Sequence, residues 1–161
     1  MDIYTTIDSP LGEILLVGDG SALTRVSFDV GVRAEWRREP HAFTEAERQF
    51  GEYFAGERTS FELPFAAPGT TFQERVWAEV AAVPYGTTTS YGAIAARIGA
   101  ARDRIRAVGA AVGANPLLVV RPCHRVVGAD GALTGYAGGI ERKHHLLTLE
   151  GALQPQLWGV S

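Results

Sequence analysis

Three short runs near the N-terminus carry the alternating or continuous apolar character of strands: residues 3–7, 14–17 and 23–28. They are joined by turn formers, Ser9-Pro10-Leu11-Gly12 and Gly18-Asp19-Gly20. The first thirty residues therefore predict an antiparallel meander. The period then becomes helical. Thr44-Glu45-Ala46-Glu47 has the form of a capping box and opens a helix that ends near Gly56. Residues 64–69, with two prolines and a glycine, predict a linker. A second box, Thr71-Phe72-Gln73-Glu74, opens a helix with Phe72, Val76, Val80 and Val83 on one stripe, and Pro84-Tyr85-Gly86 stops it. Ser90 caps a short helix through Ile98, which Gly99 ends, and Asp103 caps another that runs to about Gly113. Two short helices joined by a glycine-containing turn predict a helix-turn-helix whose second member is the recognition helix. The run Leu117-Leu118-Val119-Val120 predicts a strand, Gly128-Ala129-Asp130-Gly131 a hairpin-like turn, and residues 140–150 a last helix. The fold class is α+β: a small antiparallel-sheet domain over residues 1–66, then a winged helix-turn-helix domain over residues 70–154.

A length of 161 residues suits one ordinary domain or two small ones that share an interface. The net charge of −3 argues against a nucleic-acid partner until its distribution is read. Residues 1–69 hold six Arg/Lys against twelve Asp/Glu, and residues 70–161 hold nine against six. Between Arg97 and Arg125 lie six arginines, no lysine and one acid, Asp103. Planar guanidinium forks in that number suit phosphate, although a solvated basic face gives the same pattern. The N-terminus has no basic-then-apolar leader and no run spans a bilayer, so a cytoplasmic protein without membrane contact is expected. A single cysteine excludes an internal disulfide and a thiolate-rich zinc site, and four scattered histidines do not supply a metal site.

That cysteine, Cys123, stands in Arg121-Pro122-Cys123-His124-Arg125-Val126. A lone cysteine is most often a small core hydrophobe. Here Pro122 cannot donate a ladder hydrogen bond, so the chain bends beside the thiol, and an imidazole follows it directly. A thiol acts as a nucleophile through its thiolate, which a neighbouring base supplies. The recognition helix is odd in another way: from Ala107 to Ala114 it carries no charge and two glycines, each costing about 1 kcal/mol in a helix interior. Core packing explains small residues, and so does close approach of the helix backbone to a partner. Glu150 sits at a helix C-terminus, where the dipole disfavours an anion.

Asn115-Pro116, five intervening residues and Pro122-Cys123-His124-Arg125-Val126 together resemble the acceptor site of the O6-alkylguanine-DNA alkyltransferases. The resemblance extends through Tyr85-Gly86, Ser90-Tyr91 and Arg106-Ala107-Val108-Gly109 upstream, and through Gly135-Tyr136-Ala137-Gly138-Gly139 to Glu150-Gly151 downstream. It covers residues 70–151, while the first seventy match weakly. It implies a ribonuclease H-like first domain and repair of O6-alkylguanine, with O4-alkylthymine as a second lesion, in double-stranded DNA. The alkyl group would pass irreversibly to Cys123, once per molecule, after the base is flipped out. Within that scheme Cys123, His124, Glu150 and Tyr91 are the catalytic residues. Arg106, Ala107, Ser90 and Arg125 contact DNA, and Arg106 fills the gap left by the extruded nucleotide. Val126, Tyr136 and Ala137 shape the pocket, and Asn115 is the hinge. No cofactor and no metal are implied, and the protein would act as a monomer in a family where cooperative loading on DNA occurs.

Three other readings stay open on the residues: a non-catalytic sensor of alkylated DNA, which Cys123 argues against; a winged-helix regulator, which leaves Cys123, His124 and Glu150 idle; and a thiol hydrolase, for which a histidine distant in sequence is expected. The chain departs from the family in the turn 100–105, which is one residue longer and carries Arg102, Asp103 and Arg104. It also departs at Val112 and Leu118, where the family varies its groove or pocket, and at Arg121, where an aliphatic residue is usual.

Overall fold

The structure, a computed structural model, describes residues 2–100 and 102–153. Residue 154, the end of the expected second domain, lies outside them. The meander forms as the turn residues dictate: β1 (Ile3–Ile7), β2 (Ile14–Gly18) and β3 (Leu23–Ser27) pair antiparallel. A fourth strand, β4 (Arg37–Arg38), adds parallel to β1, giving the order β3-β2-β1-β4. Two exposed arginines carry no apolar alternation, so no sequence period announces that edge strand. Strand β2 is buried on both faces, which is why it reads as Ile-Leu-Leu-Val without alternation.

Helix α1 (Thr44–Phe54) is not opened by a capping box. A 3-10 turn over Pro40–Phe43 already leads into it, and the Thr44 hydroxyl donates back to the His41 carbonyl at 3.1 Å. Its buried face, Ala46, Phe50 and Tyr53, joins the core. In α2 (Thr71–Ala81) the capping box is real but one residue earlier than expected: Gln73 N donates to Thr70 Oγ1 (3.1 Å) and Thr70 N to Gln73 Oε1 (3.0 Å). Gly69 precedes it because a Cβ there would lie 2.6 Å from the Trp77 ring. Ser90 caps α3 (Tyr91–Arg97) as expected, accepting from Ala93 N at 3.0 Å. Asp103 does not cap α4 (Ile105–Gly113): it lies in a 3-10 turn, Arg102–Arg104, and Arg104 takes the N-cap position without a side-chain bond. Helices α2, α3 and α4 pack on one another, and the Trp77 indole N–H donates to Ala111 O at 2.8 Å to tie α2 to α4.

Residues 117–120 do not form a strand. Val26 N donates to Pro116 O (2.9 Å) and Leu118 N to Val26 O (3.2 Å), a single bridge onto the edge of β3. The chain then turns on itself, with Arg121 N bonded to Leu117 O at 2.9 Å. The run is apolar because it is buried between the two domains, and burial alone does not tell a strand from a packed turn. The Gly128–Gly131 turn is present, closed by Gly131 N to Gly128 O at 2.9 Å. A two-stranded parallel pair, β5 (Thr89–Ser90) with β6 (Val126–Val127), flanks the reactive segment, and α5 (Ile140–Leu149) ends the described fold. One hydrophobic core runs through both domains, from Ile14, Leu16 and Phe50 to Val76, Ile94 and Leu146. The domains are further joined where Arg142 donates to Leu11 O (2.9 Å) and lies over the Phe28 ring. Among the described residues no helix is long and apolar enough to cross a membrane.

Candidate active site

Pro122 turns the chain, and Cys123–Arg125 follow as one 3-10 turn, with Arg125 N bonded to Pro122 O at 3.0 Å. The turn replaces the extended backbone that would point neighbouring side chains to opposite sides. The preceding loop is strained: Val119 has φ +70°, a conformation costing a β-branched residue about 1–3 kcal/mol. Asn115, just past α4, holds that loop in shape. Its Oδ1 accepts from Leu117 N (3.0 Å), and its Nδ2 is placed to donate to Leu117 O (3.3 Å), Arg121 O (3.1 Å) and Cys123 Sγ (3.2 Å). The asparagine therefore joins the end of α4 to the thiol.

Cys123 is buried at one end of a cavity of about 280 Å³ lined by Tyr91, Gly109, Val112, Tyr136 and Ala137 among others. Among the described residues, no charged side chain lines that space. Burial pushes the thiol up to about 11, against the opposing pull of the Asn115 hydrogen bond, Lys143 and Arg121.

His124 is wholly buried, and its Nε2 lies 2.8 Å from Glu150 Oε2. Burial holds the imidazole below its ordinary value, with the Glu150 bond acting the other way. A neutral ring with Nε2–H donated to a carboxylate leaves Nδ1 as a bare lone pair, and Nδ1 has no partner within the described protein. The Tyr136 hydroxyl is likewise buried and unpartnered. Buried polar atoms are nearly always satisfied; these two rings lie 6.4 Å apart, and Tyr136 lines the cavity.

Glu150 is the hub. It accepts from Tyr53 Oη (2.6 Å), His124 Nε2 (2.8 Å), Arg125 Nε (2.7 Å) and Arg125 Nη2 (2.9 Å). Burial alone would raise its pKa, but the bonds from His124 and Arg125 outweigh it and hold the carboxyl at about 2. An anion at a helix C-terminus is thus tolerated because a bidentate guanidinium faces it. This corrects the sequence reading of Arg125. Its third bond goes to Val83 O (2.8 Å), and with the side chain buried it has no surface left for a phosphate.

Two pocket expectations also change. Val126 lies in β6, fully buried, and does not reach the cavity wall, and Leu118 packs in the core. Tyr136, Ala137 and Val112 do line it. Tyr91 stands on the wall with its hydroxyl 3.2 Å from Thr134 Oγ1. Arg106 is exposed in the first turn of α4, and Ala107 beside it is half-buried. The glycines of that helix are not demanded by packing: a Cβ at Gly113 would meet nothing, and one at Gly109 would come no nearer than 3.9 Å to Tyr91. Both glycines line the cavity, where the missing side chains leave space open.

Sequence reasoning missed two residues. Tyr53, in the first domain, where no sequence motif points to chemistry, donates to Glu150 across the domain interface, with its own pKa pushed far up by burial and by that charge. Tyr53→Phe is expected to cost about 1.5–3 kcal/mol, the worth of a hydrogen bond to a charged group, measured by urea unfolding. Lys143 is fully buried in α5 and donates to Val126 O (2.6 Å), Thr134 O (2.7 Å) and Gly135 O (3.2 Å), pinning the pocket loop to β6. A signal existed for both, since Tyr53 is three residues from Phe50 and Lys143 three from Leu146, each on its helix's apolar stripe.

Comparison with known proteins fits this arrangement. Residues 71–152 match the family model described as 6-O-methylguanine DNA methyltransferase, DNA binding domain, and residues 3–67 match its ribonuclease-like domain. A methylated-DNA–protein-cysteine methyltransferase of Mycobacterium bovis is 48% identical over 94% of each chain, and one of Methanosarcina acetivorans is 46% identical over 92% of this chain and 98% of its own. The crystal structure of the Mycobacterium tuberculosis O6-methylguanine methyltransferase superposes with TM-score 0.87 at 48% identity over 96% of each chain. A structure of the M. tuberculosis protein in complex with DNA does so with TM-score 0.87 at 50% identity over 93% of each. With both domains matched and nearly the whole chain aligned, the protein belongs to the methylated-DNA–protein-cysteine methyltransferase family.

Proposed function

We propose that the protein repairs duplex DNA by direct reversal, moving the alkyl group of O6-alkylguanine irreversibly onto Cys123, with O4-alkylthymine as a second substrate by family resemblance. The observation that carries this reading is the placement of the single cysteine. It closes an uncharged cavity of about 280 Å³ beside a histidine whose tautomer is set by a buried carboxylate. That volume is near the lower limit of about 300 Å³ for small-ligand sites, suited to one base and not to a base pair. The base must therefore leave the duplex to enter.

The exposed face of α4, with Arg106, Ala110, Gly113 and Ala114, presents a nearly side-chain-free backbone. Such a surface fits the narrow minor groove, with Arg106 taking the place of the extruded nucleotide. Ser90 supports the DNA from the start of α3, since a hydroxyl that accepts from Ala93 N still has its own proton to donate to a phosphate. Similarity to the relative solved with DNA supports the same partner.

In the pocket, the Ala137 main chain and the Tyr136 hydroxyl meet the base. The thiol proton passes to His124 Nδ1 through a water, and Glu150 stabilises the resulting imidazolium. The thiolate attacks the alkyl carbon; the S–C bond forms as the C–O6 bond breaks. The guanine leaves with a proton delivered to N3 by Tyr91, and the proton held on His124 balances it. The DNA supplies the alkyl group, so the step needs neither metal nor cofactor. A thioether has no route back to a thiol here, and each molecule acts once.

Incubation with a duplex containing O6-methylguanine, followed by intact-protein and peptide mass measurement, should show one methyl group on Cys123 and repaired DNA never exceeding the protein supplied. Repeated turnover, or transfer surviving in Cys123→Ala, would refute the proposal. Arg106→Ala should slow repair in duplex far more than reaction with the free base O6-benzylguanine, which needs no extrusion. Equal losses would assign Arg106 to the fold instead.

A further inference from the structure

We infer that Arg121 is a positioning residue for the nucleophile: through the Asn115 side-chain amide it fixes and strengthens the hydrogen bond to the Cys123 sulfur and so favours the thiolate. This deepens the assignment of Cys123 as alkyl acceptor. The guanidinium stands where the sequence resemblance leads one to expect an aliphatic side chain. It donates from Nη1 to Asn115 Oδ1 at 3.2 Å, while Nδ2 of the same amide is 3.2 Å from Cys123 Sγ.

Two effects follow from that chain of contacts. With Oδ1 accepting from both Leu117 N and Arg121 Nη1, the amide has one orientation, and Nδ2 is the end that meets sulfur. A cation on the carbonyl oxygen also draws electron density from the amide nitrogen and makes its N–H a stronger donor to a charged acceptor. Leucine at this position would remove the second effect and leave the orientation resting on the Leu117 backbone alone.

The surroundings are arranged to keep the guanidinium in place. It lies 4.4 Å from the centroid of the Trp77 ring and 5.5 Å from that of Phe65. Such stacking suits a planar, weakly hydrated cation. Phe65 is a linker residue that is 50% exposed, and Arg121 gives that ring a partner. Trp77 is in turn fixed to α4 through Ala111 O. Linker, α2 and α4 thus set the cation's position together.

The other charged or titratable groups around the thiol come from every neighbouring element: Lys143 from α5, Tyr136 from the pocket loop, Tyr91 from α3, and His124 with Glu150 behind the reactive turn. Glu74 of α2 acts on Arg121 through its charge. Among the described residues, Arg121 is the one cation bonded to the amide that touches sulfur.

The test uses the full chain, in which Cys123 is the only thiol. Its reaction with iodoacetamide, a small neutral electrophile that needs no DNA, is followed against pH by intact mass in wild type, Arg121→Leu, Arg121→Lys and Arg121→Gln. In parallel, single-turnover methyl transfer from an O6-methylguanine duplex is measured. Arg121→Leu should shift the iodoacetamide profile to higher pH and slow reaction near neutrality about tenfold, the equivalent of one pKa unit. The difference should close as pH rises. Arg121→Lys, which keeps the charge, should retain most of the rate, and Arg121→Gln should fall between. A packing role alone would lower Tm without moving the profile. An unshifted profile in Arg121→Leu, or in Arg121→Gln should the leucine variant not fold, overturns the inference. If wild type takes no methyl group from DNA while the iodoacetamide profile still shifts, the acceptor reading fails and the Arg121–Asn115–Cys123 link stands.

Discussion

Glu150→Gln should destabilise the protein by about 3–5 kcal/mol, the cost of breaking a buried ion pair by removing one partner. The amide still occupies the space and still accepts a hydrogen bond. It cannot balance the Arg125 guanidinium, which is buried with bonds to Glu150 Oε1 (2.7 Å) and Oε2 (2.9 Å). At roughly 2–4 °C per kcal/mol for a chain of this size, Tm should fall by about ten degrees. Adding Arg125→Met to remove the stranded charge should recover a large part of the loss, and a double-mutant cycle by urea unfolding measures it. Strict additivity would show that the two groups are not coupled. The resemblance gives Glu150 a catalytic role; the hub geometry adds the stability defect. The same carboxyl sets an acid limit. Its folded value of about 2 lies below its ordinary 4.5, so the unfolded chain binds its proton first as pH falls. The stabilisation is whole above pH 4.5 and is lost progressively toward pH 2. It amounts to roughly 3 kcal/mol at 1.36 kcal/mol per unit. Acid titration of wild type should show this loss, and Glu150→Gln should lack it.

Methylation of Cys123 should end activity and lower stability by about 1–3 kcal/mol, the usual cost of adding a carbon to a packed interior. Cys123 is 4% exposed, and its sulfur is engaged by Asn115 Nδ2 at 3.2 Å. A methyl group either crowds the cavity wall or displaces that amide, and a thioether is a weaker acceptor than a thiolate. Asn115 also holds both ends of a loop that contains the strained Val119. Loosening the amide should release the loop first, then the end of α4. Thermal unfolding of the alkylated protein should fall by a few degrees, with hydrogen exchange increasing at residues 114–121 before the sheet. Equal protection in both forms would mean that the methyl fits without strain. Cys123→Ala, which removes the acceptor and adds no bulk, should lose transfer completely while leaving loop protection nearly unchanged.

The three antiparallel strands of the first sheet, the helix-turn-helix and the reactive segment are legible in the sequence. Each rests on local chemistry: turn formers around short apolar runs, the Ser90 cap, and Pro122 beside a lone cysteine and histidine. It located the element boundaries less well. Capping patterns at Thr44, Thr71 and Asp103 did not place the first turns, because the preceding backbone, 3-10 in two of the three cases, decides which residue meets the free N–H groups. It misread residues 117–120, where an apolar run is buried by the neighbouring domain and not by a sheet. The long-range polar pairings emerge only in the folded molecule. Tyr53 lies 97 residues from Glu150, Arg125 lies 42 from Val83, and neither separation leaves a period in the sequence. Arg125 could be counted as a surface cation until the fold enclosed it with a carboxylate. Arg121 had no account until Asn115, Trp77 and Phe65 came together around it. A charged side chain takes its role from whatever counter-group the fold brings within hydrogen-bonding distance, and that is fixed by packing among distant elements, not by its neighbours in the chain.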